Sequence, residues 1–332
     1  MEEHNDSDSP LLSKSKTELK ETTRNFKHEI IGCVLAFISG VIFTVNNIII
    51  QVRKLDFTDI VLVRSTLQIL LIGGLCYFKN LSLFPKLEEN STRTKIVMIV
   101  QGFLGGLMII MSFGCVRLMP LGDASTLLFS SPIFTMILAC LCLNHKLVPI
   151  RVLFITILMI GTILVVQPPF IFGEETSNST EYYIGAILGI STAFVDGLVN
   201  ISINFCTEIN PLVLLWWSGI GGLFVSLMAF TFDTKARILT ASISIISYGD
   251  WSAYFIMAII GLLAYFCMTK SLQMIDPTVV SFIRSLEIVL AFLVQILIMN
   301  QIPNYLAVIG AVLVLVSVGS IAIQDFFSKK NS

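Results

Sequence analysis

Hydrophobic residues run through most of this chain in long unbroken blocks, with short polar breaks between them. After a polar lead of 30 residues, ten such blocks follow: roughly Ile31–Ile50, Ile60–Phe78, Ile96–Phe113, Leu121–Leu143, Ile150–Gln167, Tyr183–Cys206, Leu212–Phe232, Trp251–Ser271, Thr278–Met299 and Tyr305–Ile323. Each approaches the roughly 20 apolar residues that a helix needs to cross the hydrocarbon core of a bilayer. The blocks are continuous and do not alternate with period two, which excludes a closed transmembrane barrel. The pattern predicts an all-α integral membrane protein of ten transmembrane helices. Connections such as Asp56–Asp59, Gly114–Met119 and Asn300–Asn304 are short, so consecutive helices run antiparallel. The polar lead lacks an apolar centre, so no cleavable signal peptide is expected. Its mixed charge and few aromatics predict a disordered tail, and Asp8-Ser9-Pro10-Leu11-Leu12 within it has the form of an acidic dileucine sorting signal.

Orientation follows from the Lys and Arg residues near the span ends. With the N-terminus in the cytosol, the inner side carries Lys14, Lys16, Lys20, Arg24, Lys27, Lys79, Lys86, Arg93, Lys95, Lys146, Arg151, Lys329 and Lys330, against Arg53, Lys54, Arg117, Lys235 and Arg237 outside. Thirteen against five favours both termini cytosolic. The connection Pro168–Tyr182 has no Lys or Arg and holds the sequon Asn178-Ser179-Thr180, on the side where glycans are added. That makes Asn178 a glycosylation candidate.

The long polar connection splits the spans into five and five. Shifting the chain by 154 residues lays span onto span and superimposes Asn46 on Asn200, Ser131 on Ser285 and Pro149 on Pro303. An odd number of spans per half forces the second half to enter the membrane the other way up. The expected plan is therefore a cytosolic tail (1–30), a first five-helix repeat (31–167), a lumenal or extracellular loop (168–182), a second, inverted repeat (183–323) and a cytosolic tail (324–332). Inverted repeats are a common plan of secondary transporters, with the substrate site near the midplane between the halves. Small residues four apart, Gly102 and Gly106, Gly185 and Gly189, and Ala36 and Gly40, mark faces where helices approach closely. Gly219, Gly221 and Gly222 sit in an apolar span with no following Lys-Ser/Thr, so they are not read as a phosphate loop.

Composition agrees with the pattern. Apolar residues make up 55% of the 332 positions and charged ones 13%, against roughly 25% charged in a soluble domain. The formal net charge of −1 leaves no footprint for nucleic acid. The three His fall outside the spans, the seven Cys form no CxxC pair, and no catalytic constellation of nucleophile, base and acid is visible. Neither an enzyme nor a cofactor or metal protein is expected.

Five ionisable residues lie inside spans: Arg64, Asp196, Lys270, Arg284 and Glu287. A basic residue at a helix centre costs about 2.5–3.5 kcal/mol on insertion scales, so such residues face a cavity or a partner. Arg64 and Lys270 are close enough to span ends to snorkel outward. Arg284 lies seven residues after Pro277, about 10 Å into its helix. Glu287 shares its face three residues on. Two readings follow: a self-neutralising pair that lets the helix insert, or a guanidinium that binds an anion while Glu287 holds it or exchanges protons. Arg suits carboxylates and phosphates because its planar fork donates two parallel hydrogen bonds. Asp196 either pairs with one of these cations or carries a coupling proton. With Asp123, Ser125, Thr126, Ser130 and Ser131, the polar complement converges on spans two, four, six and nine. Pro132 allows a kink in the fourth. Trp216, Trp217 and Tyr265 pack in the core or against lipid, or stack on a flat substrate.

The stretches Leu121-Gly122-Asp123-Ala124, Phe129-Ser130-Ser131-Pro132-Ile133-Phe134-Thr135 and Gln167-Pro168-Pro169-Phe170-Ile171-Phe172-Gly173 resemble the drug/metabolite transporter superfamily. The likeness is to the EamA type, and within it to solute carrier family 35, subfamily G. It covers about residues 31–323. It implies two inverted five-helix repeats around a central cavity. Some relatives carry nucleotide sugars or sugar phosphates and hold the anionic part with basic residues of the ninth span, the region of Arg284. Arg64 resembles a basic residue that many relatives carry in the second span. The single basic residue at Arg284 departs from the Lys-Arg pair of phosphate carriers, which favours smaller carboxylates.

The expected function is a secondary transporter for a small organic anion of the carboxylate type, working by alternating access. Substrate binding is assigned to Arg284, with Arg64, Lys270 and Ser131, and coupling or ion pairing to Glu287 and Asp196. A nucleotide-sugar or sugar-phosphate carrier and a non-transporting scaffold that has kept the fold are the alternatives. Expected partners are the lipid bilayer, a small anion, and a coupling proton or counter-anion, with a homodimer open. Plasma membrane, Golgi, ER and endolysosome all remain open.

Overall fold

A computed structural model describes residues 27–46, 49, 57–84, 91–118, 121–143, 149–167, 169–172, 180–230, 248–290, 293 and 304–330. Among them every regular element is a helix. In chain order these are α1 (Lys27–Asn46), α2 (Phe57–Phe78), α3 (Ser91–Leu118), α4 (Leu121–Leu128), α5 (Ser131–Leu143), α6 (Pro149–Val166), α7 (Pro169–Phe172), α8 (Thr180–Phe205), α9 (Pro211–Phe230), α10 (Tyr248–Met274), α11 (Pro277–Arg284) and α12 (Tyr305–Lys330). Eight helices are long and apolar enough to cross a membrane, counting α4 and α5 as one path over Ala124–Leu143. The apolar part of α12, Tyr305–Ile321, is somewhat shorter. The result is an all-α, multi-pass membrane fold. Asn178 and the dileucine segment lie outside the described residues.

The chain signals its own helix starts. Pro149, Pro211 and Pro277 each open a helix, at the position where the missing N–H costs nothing. Two of them follow a side-chain cap. Asn210 Oδ1 accepts from Leu212 N at 3.0 Å and Asp276 Oδ1 from Thr278 N at 2.7 Å, satisfying backbone donors that the first turn leaves free. The fourth span differs from the continuous helix expected. It breaks at Phe129–Ser130, where Ser130 Oγ donates to Leu127 O at 2.6 Å and competes with the helical ladder. Pro132 then begins the new helix instead of kinking an old one. The ninth span also pauses, at Ser285, before residues 286–290 resume as helix.

α3 is sandwiched between α8 and α9, α2 packs on α9 and α10, α5 on α8 and α11, and α6 on α12. α1 lies against α10 and Glu287, through Gly32 and Gly40. One continuous core cluster runs through α8, α9, α10 and α11 and includes the fully buried Val199, Leu214, Leu272, Val280 and Phe282. The outer faces are apolar as well, with Leu70 65% and Leu141 72% exposed. Such faces suit hydrocarbon, where every backbone group is already satisfied within its helix.

The closest helix approaches are made by glycines. A Cβ on Gly221 would overlap the Gly102 carbonyl, and one on Gly106 would sit 2.8 Å from Gly222 Cα. Gly161 and Gly310 face each other across α6 and α12, each within 2.9 Å of where the other's carbonyl would meet a Cβ. Backbone-to-backbone contact of this kind is how membrane helices associate without a hydrophobic driving force. Gly221→Leu should therefore cost more than the ~1–3 kcal/mol typical of overpacking and abolish a monodisperse peak in detergent size-exclusion chromatography. Gly74→Ala and Gly319→Ala, with nothing within 4 Å of the new Cβ, should leave the peak unchanged.

Candidate functional site

A cavity of about 210 Å³ opens between the two halves of the chain. Its walls come from the C-terminal turns of α1, the first half of α2, the second half of α3, the middle of α9, and α10, with Arg284 and Glu287 at its deep end. It lies toward the end of the bundle where α1 finishes and α2 begins, and reaches the middle of α10. The opposite end is tied shut by the α10–α11 turn. Ser271 Oγ donates to Gly32 O at 2.8 Å, Asn204 Nδ2 to Leu272 O at 2.7 Å, and Gln273 Nε2 to Cys206 O and Ile209 O at 2.8 Å each. Arg151 Nη1 meets Asp276 Oδ2 at 3.2 Å.

Arg284 is held between two acids. Its Nε lies 3.4 Å from Glu287 Oε1 and its Nη1 3.6 Å from Asp196 Oδ1, and the guanidinium sits 5.7 Å from the Phe43 ring centre. The side chains of Arg284, Asp196 and Glu287 are 20%, 10% and 9% exposed. So much shielding from water makes each charge costly without the others. Glu287 is packed against α1, because only a glycine at position 40 leaves room for it; a Cβ there would lie 3.2 Å from Glu287 Cγ.

Arg64 is differently placed. Among the described residues no carboxylate stands within ion-pair distance of it, and its recorded neighbour is the Tyr265 ring, 5.8 Å from the guanidinium carbon. A Cβ on Gly261 would lie 3.7 Å from that carbon and 3.5 Å from Asn46 Nδ2. Tyr265 is fixed by Gln101, whose Nε2 donates to its hydroxyl at 2.8 Å, and Gln68 Nε2 donates to Leu215 O at 2.6 Å, pinning α2 to α9. Asn46 Oδ1, on the cavity wall, is buried without a hydrogen-bond donor.

The structure thus brings Arg64, Arg284 and Glu287 to one cavity, with Asp196 directly behind. Lys270 and Ser131 are half-buried and do not line it. Lys270 lies five residues beyond Tyr265, about 140° round α10 at 100° per residue. Ser131 sits at the start of α5. Spans four and six support the site without lining it. Asn200 Nδ2 donates to Thr135 Oγ1 at 3.3 Å and to Ser281 Oγ at 3.2 Å, a buried knot joining α5, α8 and α11. Trp217 Nε1 donates to Leu83 O at 3.1 Å and Trp216 stacks edge-on against it, so both tie the end of α2 to α9. Among the described residues no His, Cys, Asp and Glu group is arranged to hold a metal. The sequence reading singled out neither Phe43, Gln68 nor Gln101 for the site, although each Gln was visible as an amide inside an apolar span.

A multi-pass helical bundle with a small, largely apolar cavity between its halves and buried charges on the wall has the architecture of a membrane transporter. The chain belongs to the EamA-like transporter family, which matches residues 28–167 and again 183–323. It is 27% identical over 335 residues to human "Solute carrier family 35 member G1", covering 96% of this chain and 85% of that one. It is 21% identical to the "Pseudopaline exporter CntI" of Pseudomonas aeruginosa, over 86% of this chain and 94% of that one, and 26% identical to an "S-adenosylmethionine uptake transporter" of Rickettsia bellii, over 59% and 62%. A crystal structure covering 92% of this chain and 99% of its own superposes with a TM-score of 0.69 at 12% identity, which shows the shared fold. Secondary transport across a membrane is therefore the general function.

Arg284→Gln should leave two buried carboxylates facing each other and destabilise the protein by about 3–5 kcal/mol, read as a lower Tm in detergent. Adding Glu287→Gln and Asp196→Asn to that variant should recover most of the loss.

Proposed function

We propose that this protein is a secondary carrier for small organic anions of the carboxylate type, with Arg64 as the principal anion contact. The observation that carries the proposal is the contrast between the two cavity arginines. Arg284 already has two carboxylates, so an incoming anion would have to displace one of them. Arg64 has its charge inside the bundle with an aromatic face, and no carboxylate, beside it among the described residues, and its guanidinium fork could receive an anion there. The cavity's size supports a small solute. About 210 Å³ lies below the ~300–1,000 Å³ of pockets for drug-sized ligands.

Alternating access between inverted halves is supported by the packing. The contacts between halves come in sets related by exchanging the first five spans with the last five. α3 on α8 answers α1 on α10; α3 on α9 answers α2 on α10; α5 on α8 answers α1 on Glu287. The pairs α2 with α9, α6 with α12 and α5 with α11 each map onto themselves. The cavity at one end and the sealed α10–α11 turn at the other are what one side-open state of such a carrier requires. With both termini cytosolic, as the Lys and Arg distribution favours, that open side is the lumenal or extracellular one.

The test is uptake into proteoliposomes of purified protein, run with di- and tricarboxylates, sugar phosphates, nucleotide sugars and neutral amino acids. Saturable uptake of a carboxylate should fall by about tenfold or more in Arg64→Gln, the loss of one charge-assisted hydrogen bond, while Tm stays near wild type. Carboxylate uptake equal to wild type in folded Arg64→Gln would remove the assignment.

A further inference from the structure

We infer that the ion pair between Arg151 and Asp276 is a one-sided latch. It holds the α10–α11 end shut, so that the unloaded carrier rests with its cavity open at the α1–α2 end. The inference rests on the alternating-access reading above and adds what decides the side on which the carrier waits.

The first ground is what the seal joins. Within the second half of the chain, Asn204 and Gln273 bind the α8–α9 and α10–α11 turns into one plate. Three contacts fasten the first half to that plate. Ser271 Oγ donates to Gly32 O of α1 at 2.8 Å, the Arg93 guanidinium of α3 lies 5.2 Å from the Phe205 ring centre, and Arg151 Nη1 of α6 meets Asp276 Oδ2 at 3.2 Å. Of these three, the last sets charge against charge. The ion pairs of Arg284 stay within the second half, whereas this one crosses between halves.

The second ground is construction. Asp276 divides its carboxylate: Oδ1 accepts from Thr278 N at 2.7 Å and caps α11, while Oδ2 faces Arg151. The cap holds the carboxylate in place whether or not α6 is near. On the other side, Ser317 Oγ of α12 donates to Phe154 O at 2.6 Å, one turn beyond Arg151, and anchors the start of α6. The two side chains are 15% and 10% exposed. That shielding makes the pair stronger than a fully exposed one, whose attraction water screens away. Yet both charges sit at helix starts, where parting the halves returns them to water and spares the cost of stranding them. A latch that must also release needs both properties.

The third ground is that the other end has no equivalent. Exchanging the halves puts α4 in the place of α11 and α12 in the place of α6. Asp276 precedes α11, and Pro120 precedes α4; the third residue of α6 is Arg151, and that of α12 is Ala307. The shift of 154 residues gives Gly122 and Tyr305 instead, again without a charge. From Ser285 to Ser328 the chain holds no Lys or Arg, so the start of α12 cannot supply the cation. Of two exchanging states, the one with the additional attraction is the more populated. Here that is the state with the α10–α11 end closed.

Two buried cysteines serve as reporters in the test. Cys206, in the α8–α9 turn, has its Sγ 3.9 Å from Thr94 O of α3, a contact between the halves at the sealed end. Cys115 lies near the far end of α3, against Gly189 of α8. Both are 0% exposed. Full-length protein in detergent is treated with N-ethylmaleimide, and alkylation at each cysteine is timed by peptide mass spectrometry. Asp276→Asn removes the charge but keeps a good capping side chain, and Arg151→Gln removes the opposite charge. Either should speed alkylation of Cys206 by about tenfold or more and leave that of Cys115 unchanged. Arg151→Lys, which keeps the charge, should respond less than Arg151→Gln. Cys206 alkylation equal to wild type in both Asp276→Asn and Arg151→Gln would overturn the latch. Alkylation of Cys206 and Cys115 rising together would overturn it as well, marking a pair that holds the whole fold and not one end. Wild-type uptake judges the carrier reading separately: unchanged Cys206 reactivity in a protein that transports removes the latch alone, and a folded wild type that moves no solute removes the carrier and the latch with it.

Discussion

Charge that must be buried organises this protein. Arg284 lies deep in the bundle, and two carboxylates from different helices stand against it, Glu287 three residues on and Asp196 from α8. The rest of the site follows from keeping that triad away from lipid. α1 comes close enough to cover Glu287 because position 40 is glycine, and Phe43 offers its face to the guanidinium one turn later. α11 is held at its start by the Asp276 cap and along its length by the Asn200–Thr135–Ser281 knot. A guanidinium already facing two carboxylates has little to offer an anion. The cation proposed for that purpose is Arg64, on the opposite wall and from the other half of the chain.

The spans were legible because a bilayer imposes one simple rule, length of apolar sequence, and no soluble-protein rule competes with it. The in-span charges were legible for the same reason, since each is an exception to that rule. What sequence could not supply was direction. Asp196, Glu287 and Arg284 were expected in coupling, pairing and binding roles, and only their geometry shows that Arg284 is shared by both acids. Lys270 and Ser131 fell within the right spans but off the cavity wall, because a helix turns 100° per residue and a polar residue does not declare its azimuth. The break at Phe129–Ser130 was displaced from the expected kink at Pro132, a local contest between Ser130 Oγ and the backbone that composition does not resolve. Asn46 was visible as a repeat anchor, but its place beside Arg64 depends on α1 crossing to the second half of the chain.

The family match sets the general function, and the proposal drawn from the cavity narrows it. Relatives named for solutes as different as S-adenosylmethionine and pseudopaline share this architecture at 21–26% identity, so the fold does not choose a cargo. The proposed cargo rests instead on the cavity wall, whose volume, one guanidinium without a carboxylate beside it among the described residues, and apolar flank are properties of this chain's own residues. The sealed α10–α11 turn bears on mechanism. Two of its links, Ser271 to Gly32 and Asp276 to Arg151, join one half of the chain to the other. On the alternating-access proposal, opening that end would part those links.

The central claim, that Arg64 receives the solute while Arg284 remains with its two acids, is tested most directly by an experimental structure with a transported carboxylate bound. The account predicts the ligand's carboxylate within hydrogen-bond distance of the Arg64 guanidinium, with Arg284 still between Asp196 and Glu287. A carboxylate seated on Arg284, with Asp196 or Glu287 displaced, would contradict it.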